Sequence, residues 1–262
     1  MSYSRCALRP ALALSLFAAA LAPTGASAQE EADRPEEEFL SDLVFPQEHR
    51  EVQVTAAPAL AEVDTRQSLV TGLELEYGIT DAWQVEAGWG AHPLVADADY
   101  TFEVGTQYSA LNIAGTGFHT AFGVEAEWEG AEFEAAVPYL ILAADFGALH
   151  AFTQGFVAIG GEGDDDEIDL DLAVGDVEEA EGDWGLLGGA VLPVGPVFVT
   201  AEAAWSRAAF GDRLTLAPGL VAPIAEGWQV GLGLPITRVG GGTSAGLSAF
   251  LTYEFELGDD DD

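Results

Sequence analysis

The residues best able to do chemistry in this 262-residue chain are carboxylates: 45 Asp and Glu stand against 8 Lys and Arg, for a net charge of −37. They fall into two patterns. In the first, Glu74, Glu76, Glu86, Glu103, Glu125, Glu127, Glu202 and Glu254 each alternate with apolar neighbours, which puts them on one face of extended segments. If that face lines a wet lumen, such a set attracts cations and repels anions. The alternative is that the lumen merely samples an acidic composition, and the sequence leaves both open. The second pattern is the run 161–183, where alternating acids offer the oxygen ligands that Ca²⁺ or Mg²⁺ takes. An EF-hand counted from Asp164 needs Gly sixth and Glu twelfth, and the chain has Asp169 and Gly175 there. That run reads first as a solvated loop.

Other chemistries lack their residues. The four histidines, His49, His92, His119 and His150, show no metal-binding spacing, and no G-x-S-x-G motif accompanies them. Cys6 is the only cysteine, which excludes a disulfide framework and a thiolate metal site. Lysine is absent altogether, and a surface this negative repels phosphate backbones, so nucleic acid is not a partner. No enzyme and no cofactor are expected. The acidity suits an exported protein bathed in concentrated salt, where screening shortens the repulsion, and it points to a halophilic Gram-negative source.

The elements that must position the glutamates are strands. From residue 51 to 257 the chain alternates apolar and polar residues in stretches of about ten, punctuated by Gly, Asp and Pro. Leu73, Leu75 and Tyr77 oppose Glu74 and Glu76; Trp83, Val85 and Trp89 oppose Gln84 and Glu86; Phe122 and Val124 oppose Glu125. In the stretch 132–142 the same parity sets Phe133, Val137, Tyr139 and Ile141 on the apolar face. About twelve strands result: 51–61, 67–78, 83–91, 99–110, 117–128, 132–142, 149–160, 184–193, 197–208, 213–224, 228–236 and 243–257.

An even count, strands long enough to span when tilted, and tryptophans near strand ends all favour an antiparallel transmembrane β-barrel. Trp83, Trp184 and Trp228 open strands, and Trp89, Trp128 and Trp205 come late in theirs, as aromatic girdles at two membrane faces require. A soluble periplasmic β-protein, with the apolar face turned inward around a ligand, is the alternative.

Residues 1–28 read as a secretory signal peptide: Arg5 and Arg9, an apolar stretch from Ala11 to Ala22, and Ala26-Ser27-Ala28 before Gln29. Residues 29–50 read as a mobile acidic N-terminal arm, 51–257 as the barrel, and 258–262 as an acidic tail. The pieces Phe45-Pro46, Tyr77 to Val85, Trp228 to Pro235 and Leu251 to Phe255 resemble the outer-membrane barrel family named after the meta-pathway of phenol degradation. That resemblance touches about a quarter of the mature chain and implies an outer-membrane location and passage of small solutes. The tail departs from it, since four aspartates follow Gly258 where such barrels end on an aromatic residue. The expectation is a passive channel or transporter for small solutes, cation-preferring if its lumen is wet. Its partners are outer-membrane lipid and the barrel-assembly machinery. A plugged structural or adhesive barrel stays open beside it.

Overall fold

The computed structural model describes residues 39–40, 44–63, 66–91, 100–160, 184–208, 211–239 and 242–258. The expected signal peptide, the rest of the arm, the acidic run 161–183 and residues 259–262 lie outside them. The strands are β1 (Glu51–Val63), β2 (Arg66–Thr80), β3 (Trp83–Ala91), β4 (Tyr100–Ala110), β5 (Phe118–Glu129), β6 (Glu132–Phe146) and β7 (Leu149–Val157). They continue as β8 (Trp184–Val194), β9 (Val197–Ala208), β10 (Gly211–Ala225), β11 (Trp228–Gly233), β12 (Ile236–Val239) and β13 (Gly242–Glu256). Neighbours pair antiparallel in sequence order, and β1 pairs with β13, so the sheet closes on itself and leaves no edge.

β11 and β12 lie in line, both between β10 and β13, so the thirteen segments make a closed twelve-strand antiparallel barrel. The break falls at Leu234-Pro235, because proline has no N–H to give the ladder. Leu234 N–H reaches Pro218 O at 3.0 Å and Gly246 N–H reaches Pro235 O at 2.8 Å, which holds the chain in line across the gap. The strand expected to stop at 236 therefore resumes and runs to Val239.

β1 begins and β13 ends at one end of the barrel. Four of its five turns have two residues, with Gly147 (φ 69°) and Gly195 (φ 65°) supplying the left-handed conformation such hairpins demand, and the fifth, 111–117, holds a single 3-10 turn. The opposite end carries the two long connections, 92–99 and the one holding 161–183, beside hairpins as short as Gly130-Ala131. Loop asymmetry thus rests on two connections only.

The two faces invert the rule for a soluble fold. Leu73 and Leu75 are each 48% exposed and Phe122 is 58% exposed, whereas Gln53, Gln107 and Gln229 are each 1% exposed. Large apolar side chains cover the outside while glutamines are buried within, as lipid surroundings require and water does not allow. That apolar exterior rules out a soluble cup.

One strand departs from the expected faces. Between Glu127/Trp128 on β5 and their partners Ala135/Phe133 on β6 the register slips, and Glu134 becomes the extra residue of a bulge. A one-residue slip sends every later side chain to the other face. Val137, Tyr139 and Ile141, expected on the lipid side, are therefore buried inside, and Leu140 and Leu142 take the outer face.

The inside consequently has two walls. The β2–β5 side is polar. On the β6–β10 side, Val137, Tyr139, Ile141, Phe152, Phe156, Leu187, Val191 and Phe198 join an apolar cluster. The large inward rings lie flat over glycines directly opposite: Tyr139 over Gly123, Phe152 over Gly189, Phe156 over Gly185, Phe250 over Gly231. A methyl group at any of these glycines would run into the ring.

Candidate functional site

The site is the barrel interior, and its first component is a ladder of carboxylates. β2, β3, β4 and β5 are consecutive, so their inward residues form cross-strand rows. One row runs Glu76, Glu86, Gly105, Glu125; the next runs Glu74, Gly88, Glu103, Glu127. Each row holds one glycine, and a glutamate side chain from the neighbouring strand lies over it: Glu86 covers Gly105 and Glu103 covers Gly88. Glu76 stands directly opposite Glu86, and Glu103 opposite Glu127. Like charges so placed oppose folding. Carboxylate oxygens of Glu74, Glu76 and Glu86 all fall within 4.8 Å of one another.

Amides relieve part of that crowding. Gln84 donates to Glu76 Oε1 at 3.0 Å, and Gln47 donates to Glu76 Oε2 at 2.7 Å. Gln47 also donates to Gln53 Oε1 at 2.7 Å. Both oxygens of Glu76 are thereby engaged, so the triad works as a negatively charged, amide-braced wall. Six of the expected lumen residues (Glu74, Glu76, Glu86, Glu103, Glu125 and Glu127) come together here. Glu202 lies apart on β9 and Glu254 at the short-turn end of β13, opposite Gln53.

The second component is the arm. The sequence suggested a mobile segment, but Phe39, Leu40 and residues 44–47 pack inside the barrel, while Glu48 and His49 stay exposed at its mouth. Glu202, 4% exposed, accepts the backbone N–H of Phe39 at 3.0 Å and of Leu40 at 2.7 Å. The Phe39 ring sits 5.1 Å from that of Phe250, above Gly219 and Gly233, where any Cβ would collide with it. Val44 is 2% exposed within the same apolar cluster. Gln47 N–H donates to Gln84 Oε1 at 2.9 Å, and the backbone of residues 47–48 passes so close to Gly78 that no side chain fits there.

Third, a His–Asp–His group marks the short-turn end. Asp145 bonds His119 Nε2 at 2.9 Å through one oxygen and His150 Nδ1 at 2.8 Å through the other. Asn112 N–H donates to His119 Nδ1 at 3.1 Å, which makes Nε2 the protonated nitrogen. Phe45 of the arm packs against both imidazoles, with ring centroids 5.0 Å from each. Neither nitrogen of His119 is left to activate a hydroxyl.

On the outer wall, Trp89, Phe102, Trp128 and Phe133 form a row near the long-loop end, with Phe102 and Phe133 each 5.8 Å from Trp128. Trp184 and Trp205 meet at 4.9 Å at the same end. Trp83, opposite Tyr108, and Trp228, stacked at 4.4 Å on Tyr253, stand at the short-turn end.

No family profile and no curated protein matches the sequence. Solved structures do match. The KdgM porin aligns with TM-score 0.58 at 10% identity, over 78% of this chain and 99% of its own. The NanC porin aligns with TM-score 0.60 at 10% identity, over 76% and 98%. A Salmonella typhi outer membrane phospholipase dimer with bound calcium aligns at 0.50 with 8% identity, over 77% and 90%. At such identities the likeness establishes the fold alone: this chain is a closed twelve-strand antiparallel β-barrel that matches outer-membrane barrels.

Proposed function

We propose that the chain is a channel of a bacterial outer membrane that passes small solutes and favours cations over anions. The observation that carries the reading is the barrel's double inversion: apolar side chains cover the outside, while the glutamates of β2–β5 gather on the inner wall. Outer-membrane lipid meets the exposed leucines and phenylalanines, with the two aromatic rows at its interfaces. The signal peptide would bring the chain to the barrel-assembly machinery.

Structural likeness to porins supports passage of small solutes, but the wall argues against one ligand seen with such a barrel. The KdgM porin has been solved in complex with disordered oligogalacturonate, an acidic oligosaccharide. Here the lumen presents carboxylates, and a polyanion meets like charge along β2–β5. The phospholipase likeness is one of fold alone, and no activity follows from a fold; His119, the histidine on the inner face of β5, has both nitrogens engaged by Asn112 and Asp145.

The test is reversal potential in planar bilayers under a KCl gradient. Wild type should prefer K⁺, and the preference should fade as the screening length falls from ~10 Å at 0.1 M to ~3 Å at 1 M salt. Changing Glu103, Glu125 and Glu127 together to glutamine keeps side-chain volume and should lower selectivity while conductance persists. Unchanged selectivity in the triple variant would make these glutamates bystanders of an acidic composition.

A further inference from the structure

We propose that Phe39, Leu40 and residues 44–47 form a resident plug that enters the barrel from the short-turn end and gates the lumen. The inference rests on the channel reading above, and it goes beyond it by assigning a function to the arm.

The barrel wall is shaped for this segment at three separate places. At mid-height, Gly219 on β10 and Gly233 on β11 leave the slot that the Phe39 ring fills. On the neighbouring strand β9, Glu202 turns both carboxylate oxygens on consecutive backbone N–H groups, a charge-assisted pair of bonds. Near the mouth, Phe45 packs against His119 and His150, which Asp145 ties to each other. Between mouth and wall, Gly78 gives way to the backbone of Gln47 and Glu48, and the Gln47 amide bridges Gln53 and Glu76. The points that meet the described arm residues lie on β1, β2, β5, β7, β9, β10 and β11, so those residues touch well-separated parts of the interior instead of one wall.

The contacts also explain how such a plug would be released. Most are hydrogen bonds and ring contacts, each modest on its own in exchange with water. Glu202 is held by neutral N–H donors, and a cation entering the lumen competes for the same carboxylate. The tether to β1 keeps the displaced arm beside its seat, so reseating is an intramolecular event. The plug is therefore built to yield and return.

The experiment uses the full-length protein. Single-channel currents are compared for wild type, Phe39→Ala/Phe45→Ala and Glu202→Gln, with heat-modifiability on gels confirming that each barrel is folded. In parallel, Phe39→Cys is labelled with a bulky, water-soluble maleimide. The expected result is slow labelling of Phe39→Cys, severalfold faster labelling when Glu202→Gln or Phe45→Ala is added, and severalfold larger conductance in the double alanine variant. Equal, non-zero conductance in wild type and the double variant would overturn the plug and leave the channel standing. No conductance from any folded variant would overturn the channel reading and the gate together. Labelling of Phe39→Cys as fast as in urea would refute the seating of the arm directly.

Discussion

Adjacent residues 74 and 75 on β2 should respond in opposite directions to charge, and the size of each response follows from where they point. Leu75 is 48% exposed on the outer wall, facing lipid between Val54 and Ala87. Arginine there places a guanidinium in hydrocarbon, which costs about 2–4 kcal/mol near the bilayer midplane. Glu74 faces inward, with carboxylate oxygens of Glu76 and Glu86 within 4.8 Å. At an effective dielectric of ~20, each such pair of full charges repels by ~3 kcal/mol before ions screen it. Glu74→Gln removes two of those repulsions at nearly constant volume. Screening and hydration cut the gain, leaving a stabilisation on the order of 1 kcal/mol at low salt that vanishes near 1 M, where the ~3 Å Debye length is shorter than the separation. The assay is urea-dependent folding into lipid vesicles at 0.05 M and 1 M NaCl. If Glu74→Gln destabilised the barrel as much as Leu75→Arg, or if its effect ignored salt, the ladder would not be the repulsive array described here.

Two further substitutions test the interior. Ile141→Ala should cost about 2–5 kcal/mol because it opens a cavity in a packed wall, whereas Leu142→Ala, facing fluid lipid that fills the space, should cost far less; equal costs by the same titration would return β6 to the unbulged register. Gly231→Ala drives a methyl group into the Phe250 ring and should cost about 1–3 kcal/mol, and adding Phe250→Leu should recover part of the loss in a double-mutant cycle.

The strand count was legible because lipid on one side and a polar lumen on the other enforce a strict two-residue period, and nothing else in the chain imitates it. Strand ends fell within a few residues for the same reason, since Gly and Pro punctuate the turns. Two features escaped that logic. The bulge at Glu134 has no sequence signal stronger than its neighbours: Glu132 and Glu134 extend the alternation by one step too many, and only pairing against Trp128 shows that Phe133 and Ala135 lie on opposite faces. The break at Leu234-Pro235 had a signal, the proline, which marks where the ladder must skip a donor but not that the strand resumes.

The interior was legible on one wall and hidden on the other, and the arm belongs to the hidden side. Parity found the glutamates of β2–β5 because each sits between outward apolar residues. The acceptor for the arm is Glu202, separated from Phe39 by 163 positions, and no local pattern links an acidic, Pro-containing leader segment to a strand that distant. What the sequence did carry was the room: glycines at 78, 219 and 233 on inward positions, each looking like a weak spot in a strand until the arm is laid against it. An isolated strand glycine is a sign of close approach by something else. In this barrel the approaching groups are of two kinds, side chains from the neighbouring strand and the protein's own N-terminal segment. The same rule that packs Phe250 over Gly231 packs Phe39 over Gly219. The difference is covalent: Phe250 is fixed in its strand, whereas Phe39 arrives on a tether, and only a tethered ring can leave its glycine without unfolding the wall.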